Sequence, residues 1–335
     1  NDGNSYNTVF GYKAFTNDGT VLGDVAADYN VAIGYEAMGT GANGASSANV
    51  AIGYKALEDI IAGYENTALG SLALASLTGG TNNIAIGSNA LDAAADDESH
   101  NVAIGSNAMG ACDQGTDGLA DIDRNVCIGS NAGLGGDFGG SNLNFIDNVA
   151  IGDQSMDATG AYQAYDNTAV GANAMGGSWG GTAYNNTAIG SSALNGALNS
   201  SYENVAVGVI AGNSITTGYR NTCIGYNAQP GAVDAQNQTI IGYDIGGVVD
   251  VDNSVVLGNA DVTAVYMAED SGATVHCAGA VVTEGINFPD DASANPSADA
   301  NTLDNYEEGT WTPALKFGGQ SNGIAYNASY QHGAY

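Results

Sequence analysis

Carboxylates are the commonest reactive groups in this chain, 36 Asp and Glu among 335 residues. Adjacent pairs such as Asp96/Asp97 and Glu307/Glu308 invite a two-carboxylate glycosidase reading. That chemistry needs an apolar pocket to hold one carboxyl protonated while its partner stays ionised. The pairs fall in spacers and linkers with no rigid apolar pocket, and so many acids make adjacent pairs unavoidable, so the chain is expected not to be an enzyme. The spacers Asp113-Gln114-Gly115-Thr116-Asp117 and Asp250-Val251-Asp252 offer oxygen ligands for calcium, yet neither completes an EF-hand spacing. Solvated surface acids explain them more simply. His100, His276 and His332 have no partners at metal-ligand spacing, and Cys112, Cys127, Cys223 and Cys277 form no C-x-x-C pair. The expectation is no metal and no cofactor.

Aromatic rings are the other groups able to recognise a partner, because their faces stack on sugar rings. Among 18 tyrosines, Tyr64, Tyr165, Tyr184, Tyr202 and Tyr219 all stand two residues before a recurring Asn, as a structural ladder would require. Phe138, Phe145, Tyr162 and Trp179 break that register and are the candidate receptor contacts. Trp179 lies in Gly176-Gly177-Ser178-Trp179-Gly180-Gly181, which reads as a flexible loop with an exposed ring.

The elements that must position these residues come from a repeat. The block Asn-(Val/Thr)-Ala-Ile-Gly-x-x-Ala-(Leu/Met) returns along most of the chain, as in Asn101–Gly105 with Ile104 and Asn186–Gly190 with Ile189. Its glycines run from Gly11 to Gly258, 14 of them over 247 residues, a mean period of 19. A constant core with variable spacers predicts a β-solenoid of about 14 coils, with insertions in loops on one side. The longest spacings, 23, 24 and 23 residues, lead into Gly34, Gly129 and Gly152.

Each slot predicts a role. A large apolar residue precedes the glycine and a β-branched residue stands three before it, so both share one strand face, with a small residue opposite between them. The large face is expected to fill the coil interior and the Ala face to meet a neighbouring subunit, with the reverse assignment open. Cys127 and Cys223 occupy the Ala slot as small buried residues. Glycine ends the strand, through positive φ or close approach. The Asn four before it is expected to hydrogen-bond up the stack. No turn completes G-x-x-x-x-G-K-[ST] for phosphate.

Composition bounds partners. Five Lys+Arg against 36 acids give a net charge of −31, which excludes a nucleic-acid binder and repels anionic lipid. No apolar run approaches the ~20 residues of a membrane span. A start at Asn1 with neither Met nor signal peptide suggests a fragment or processed product.

The repeat, exemplified by Asn186-Thr187-Ala188-Ile189-Gly190-Ser191-Ser192-Ala193-Leu194, resembles the head repeats of trimeric autotransporter adhesins and equally those of bacteriophage tail fibres, over roughly residues 7–258. The spacers are longer than in the shortest head repeats. The stretch Ser297–Pro313 is similar to the boundary before the distal domain of many phage tail fibres, and no heptad stalk follows. The resemblance implies an extracellular fibre of the virion tail, a parallel homotrimer partnered by two identical chains, other tail proteins and a host cell-surface glycan or protein. It divides the chain into a solenoid shaft (1–260), a neck and polar linker (261–305) and the start of a C-terminal β-domain (306–335). The distal tip, beyond Tyr335, is expected to do most of the binding. The alternatives are the head of a bacterial surface adhesin and a polysaccharide-degrading tailspike.

Overall fold

The computed structural model describes residues 6–16, 27–39, 46–94, 98–112, 121–135, 144–160, 162–246, 251–265, 310–311 and 333–334. Those up to residue 265 form an all-β parallel solenoid, and none of the described residues is helical. Each repeat contributes one three-residue strand, from Thr8–Phe10 to Val255–Leu257, to a single 14-stranded sheet, as the 14 glycines predict. Every step keeps one register: Val31 lies over Val50, Ala32 over Ala51 and Ile33 over Ile52. Thirteen steps of ~4.8 Å make a stack about 62 Å long. A second parallel sheet joins Ile122–Asp123, Phe145–Ile146, Ala164–Tyr165, Ala183–Tyr184 and Ser201–Tyr202 on another side of the coil.

The chain divides into two compact units, residues 1–265 and 266–335. In the second, Thr310–Trp311 pairs antiparallel with Gly333–Ala334.

Backbone hydrogen bonds between coils continue well past the strand. Around Gly53, the Val50 N–H donates forward to Asn66 O (2.8 Å) and the Gly53 N–H back to Ile33 O (2.9 Å). Lys55 N–H then donates back to Tyr35 O (2.9 Å), and Leu57 N–H forward to Ala73 O (3.0 Å). Lys55 and Leu57 have φ of 54° and 51°, and Glu65, just before the next Asn, has φ 59°. These left-handed residues turn the chain and recur in coil after coil. Glycine itself is required for two reasons. At Gly105, φ is 138°, and an added Cβ would sit inside the carbonyl of Gly129 in the next coil.

The expected assignment of faces is overturned. Ala32, Ala51, Ala103 and Ala188 are fully buried and point into the coil interior, together with Cys127 and Cys223. The large residues beside them point outward: Leu69 is 43% exposed, Ile189 42% and Ile241 40%. The physical reason is room. The second half of the motif already fills the interior with Ala56, Leu57 and Ile60, or Ala73, Leu74 and Leu77, all fully buried. Along most of the stack a coil this narrow leaves the strand room for only a small residue on its inner side, and near one end Ile240 takes the same inward slot. Cys127 and Cys223 therefore lie inside their own chain's coil, where burial pushes each thiol pKa up to about 12.

Candidate interaction surface

Two columns of outward side chains run the length of the large sheet. One starts each strand (Val31, Val102, Thr187, Thr222) and the other ends it (Ile33, Ile104, Ile189, Ile224). Across all 14 strands these positions hold only Val, Ile, Leu, Thr or Phe. No charge interrupts them in a chain carrying 36 acids. A long, uncharged and largely apolar surface of this kind, partly exposed, is a candidate interaction surface. The β-branched residues that build it are also those that fit a three-residue pleated strand.

An Asn ladder runs along the corner that precedes most of these strands. Asn30, Asn49, Asn66, Asn83, Asn101, Asn125, Asn148, Asn167, Asn186, Asn204 and Asn221 are all essentially buried. Asn167 shows the rung. Its backbone N–H and its side-chain Nδ2 both donate to Asn148 Oδ1 (3.2 and 3.1 Å). Nδ2 also donates forward to Ala183 O (2.9 Å), and Oδ1 accepts from Asn186 N and Nδ2 (both 3.1 Å). Asn101 and Asn186 repeat this pattern on their own neighbours. Only a side chain with an acceptor and a two-proton donor on one short stem satisfies a buried corner on both sides.

The sequence-predicted receptor candidates part ways. Tyr162 is exposed at 38%, whereas Phe138 lies outside the described residues. Trp179 is 5% exposed, with its indole N–H donating to Met175 O at 3.1 Å, so the expectation of an exposed ring is corrected. Four residues after Met175, it fills the interior column that Leu198 fills four after Leu194. Its flanking glycines serve close packing, since a Cβ on Gly177 would collide with the carbonyls of Asn195 and Gly196. Phe145 is likewise fully buried, three residues before Asn148, in the inward column shared with Ile122, Ala164 and Ala183. Neither ring presents a surface to a receptor.

The tyrosine ladder is present. Tyr165, Tyr184, Tyr202 and Tyr219 stack at 4.9, 5.0 and 4.7 Å between centroids, within 9° of parallel. A second set, not anticipated, follows the repeat glycine: Tyr12, Tyr35 and Tyr54 at one end of the solenoid and Tyr226 with Tyr243 toward the other. Its signal was the tyrosine directly after Gly11, Gly34, Gly53, Gly225 and Gly242. The described basic groups are paired locally: Lys13 and Lys55 flank Glu36 (3.6 and 3.5 Å), Arg124 binds Asp147 (2.7 Å) and Arg220 binds Glu203 (2.7 Å).

Among the described residues no group of three or more His, Cys, Asp or Glu is placed to hold a metal, and no helix is long and apolar enough to cross a membrane. The spacer Asp113–Asp117, Asp250, the pairs Asp96/Asp97 and Glu307/Glu308, His276, His332 and Cys277 lie outside the described residues. Asp252 accepts from the backbone N–H of Gln236 (2.8 Å). The chain matches no protein-family model, no curated protein and no solved structure at a significant level of similarity.

Proposed function

We propose that this chain is the shaft of a trimeric adhesive fibre of the bacteriophage tail-fibre kind, working outside the cell as part of a virion and carrying a distal receptor-binding tip. The observation that carries this reading is the uncharged outward face of the 14-stranded sheet. Water strips this apolar surface toward any matching partner, and two further copies of the chain supply the same length, period and lack of charge. Three solenoids joined along it would leave the strongly acidic remainder outside, where it keeps the fibre soluble. The resemblance of Ser297–Pro313 to the segment before phage distal domains favours a virion over a bacterial surface. In this reading the shaft is passive, needing neither catalytic residues nor cofactor.

Light scattering on the full chain tests the assembly: a mass of three chains supports it and a stable monomer overturns it. Sequencing the source gene past Tyr335 tests the bearer. A distal β-domain fits the phage reading, whereas a heptad stalk with a membrane barrel identifies a surface adhesin instead. New reducing ends released from host polysaccharide would identify a tailspike.

A further inference from the structure

We propose that the column Tyr165–Tyr184–Tyr202–Tyr219 is a binding track for a linear, non-anionic polysaccharide lying along the solenoid axis, an inference that rests on the adhesive reading above. Tyr165, Tyr184 and Tyr202 stand on the second sheet, separated from the uncharged face by the Asn corner, and Tyr219 continues the column at an isolated bridge to Gln236. In that sheet Ala164, Ala183 and Ser201 point inward and are fully buried, so the tyrosines beside them point outward.

A ladder of rings does not by itself imply a ligand, because stacking also stabilises the coil. The deciding comparison is with the same slot elsewhere. Two residues before the ladder Asn, other coils carry Asp28, Ser47, Thr81 and Ser99. They turn the same corner without a ring, so the coil does not require one. Four consecutive aromatic rungs are a local addition to a fold that is built without them.

Their geometry suits a polymer. Ring planes in contact lie ~3.5–4.0 Å apart, so parallel rings with centroids 4.7–5.0 Å apart overlap like roof tiles. All four rings are partly exposed. The Tyr219 hydroxyl bonds Gln236 Oε1 (2.5 Å), while those of Tyr165, Tyr184 and Tyr202 make no hydrogen bond among the described residues. The result is a corrugated aromatic strip with unspent donors at a constant step, and the advance of one 1,4-linked pyranose is a comparable length. Charge selects among polymers. Asp166 and Glu203 border the strip, and Arg220 is engaged by Glu203, so an anionic chain is repelled.

The test titrates the full-length protein with hexaoses of 1,4-linked glucose, N-acetylglucosamine and glucosamine, with 1,4-linked mannuronate as the anionic control, using calorimetry. At least one non-anionic hexaose should bind, and the double variant Tyr184→Ser/Tyr202→Ser should weaken it tenfold or more. Serine occupies this slot at Ser47 and Ser99, so the variant should keep its melting curve and mass. On the unmodified protein, the bound hexaose should also protect Tyr184 and Tyr202 from nitration by tetranitromethane. No binding at millimolar hexaose, undiminished binding by the variant, equal binding of mannuronate, or absent protection would each overturn the track. A trimer that binds none of the probes sinks the track alone, and a monomer that binds them sinks the fibre reading alone.

Discussion

Replacing Asn167 by Ala should destabilise the solenoid far more than any exposed Asn substitution. The side chain makes two donations and receives two, all inside a fully buried corner. Truncation strands the Asn186 backbone N–H and the Ala183 carbonyl away from water. Each orphaned buried group costs about 1–3 kcal/mol, so the sum is about 2–6 kcal/mol. For a chain of 335 residues that is a drop of about 3–9 °C in melting midpoint, read by circular dichroism. Asn199, which is exposed, is the control. Asn167→Asp adds a pH signature. The carboxylate keeps the acceptor but confronts Asn148 Oδ1 and Ala183 O, both acceptors, so burial and repulsion raise its folded pKa above the unfolded value of about 3.9. The penalty is then absent below that pH and grows as pH rises above it. If Asn167→Ala and Asn199→Ala melt within about 1 °C of each other, the ladder does not hold the corner and the argument fails.

Four further outcomes follow from the same geometry. Ile104→Asp places a charge in the outward column and should dissociate the assembly with little loss of strand signal, as light scattering paired with circular dichroism will reveal. Ala103→Leu does the opposite: it overpacks the interior by about 1–3 kcal/mol per chain, so the melting midpoint should fall without a change in association at low temperature. Cys127 and Cys223, with thiol pKa values near 12, should resist iodoacetamide at pH 8 in the folded state and react only after denaturation. Because their folded pKa is raised, their effect on stability is constant below the unfolded value near 9 and turns unfavourable above it. Finally, EDTA should leave the melting curve unchanged, since the described residues hold the corner by amides; a fall would place a structural metal in the spacers.

The fold was legible because one motif carried several independent physical demands. The Asn slot asked for a buried amide ladder and the Gly slot for a corner without Cβ, and both are met at every coil where they recur. Sequence and structure part at the strand, because apolar size alone does not signal burial. Hydrophobic residues are also common on surfaces, and the motif's own Ala-Leu half, three and four residues after the glycine, had already supplied the interior. The two misplaced aromatics are instructive in the same way. Phe145 sits at the inward register three before Asn148, a signal available from spacing alone. Trp179 looked free because glycine flanks it, yet those glycines let the next coil approach. The second tyrosine set is faint in the sequence because it occupies only the ends of the column, while mainly serine occupies the middle.

The rungs of the amide ladder are interchangeable, and this sets how such a solenoid changes over generations. Asn49 and Asn204 make the same bonds to the coils on either side, and every coil meets only its two neighbours. Unequal recombination between two repeats would remove a whole number of coils and leave a seam that bonds like any other. Each lost or gained coil alters the rod by ~4.8 Å without shifting the register of the rest. The length of the solenoid can therefore change in small, discrete increments, while the bonding within every remaining coil stays as it was.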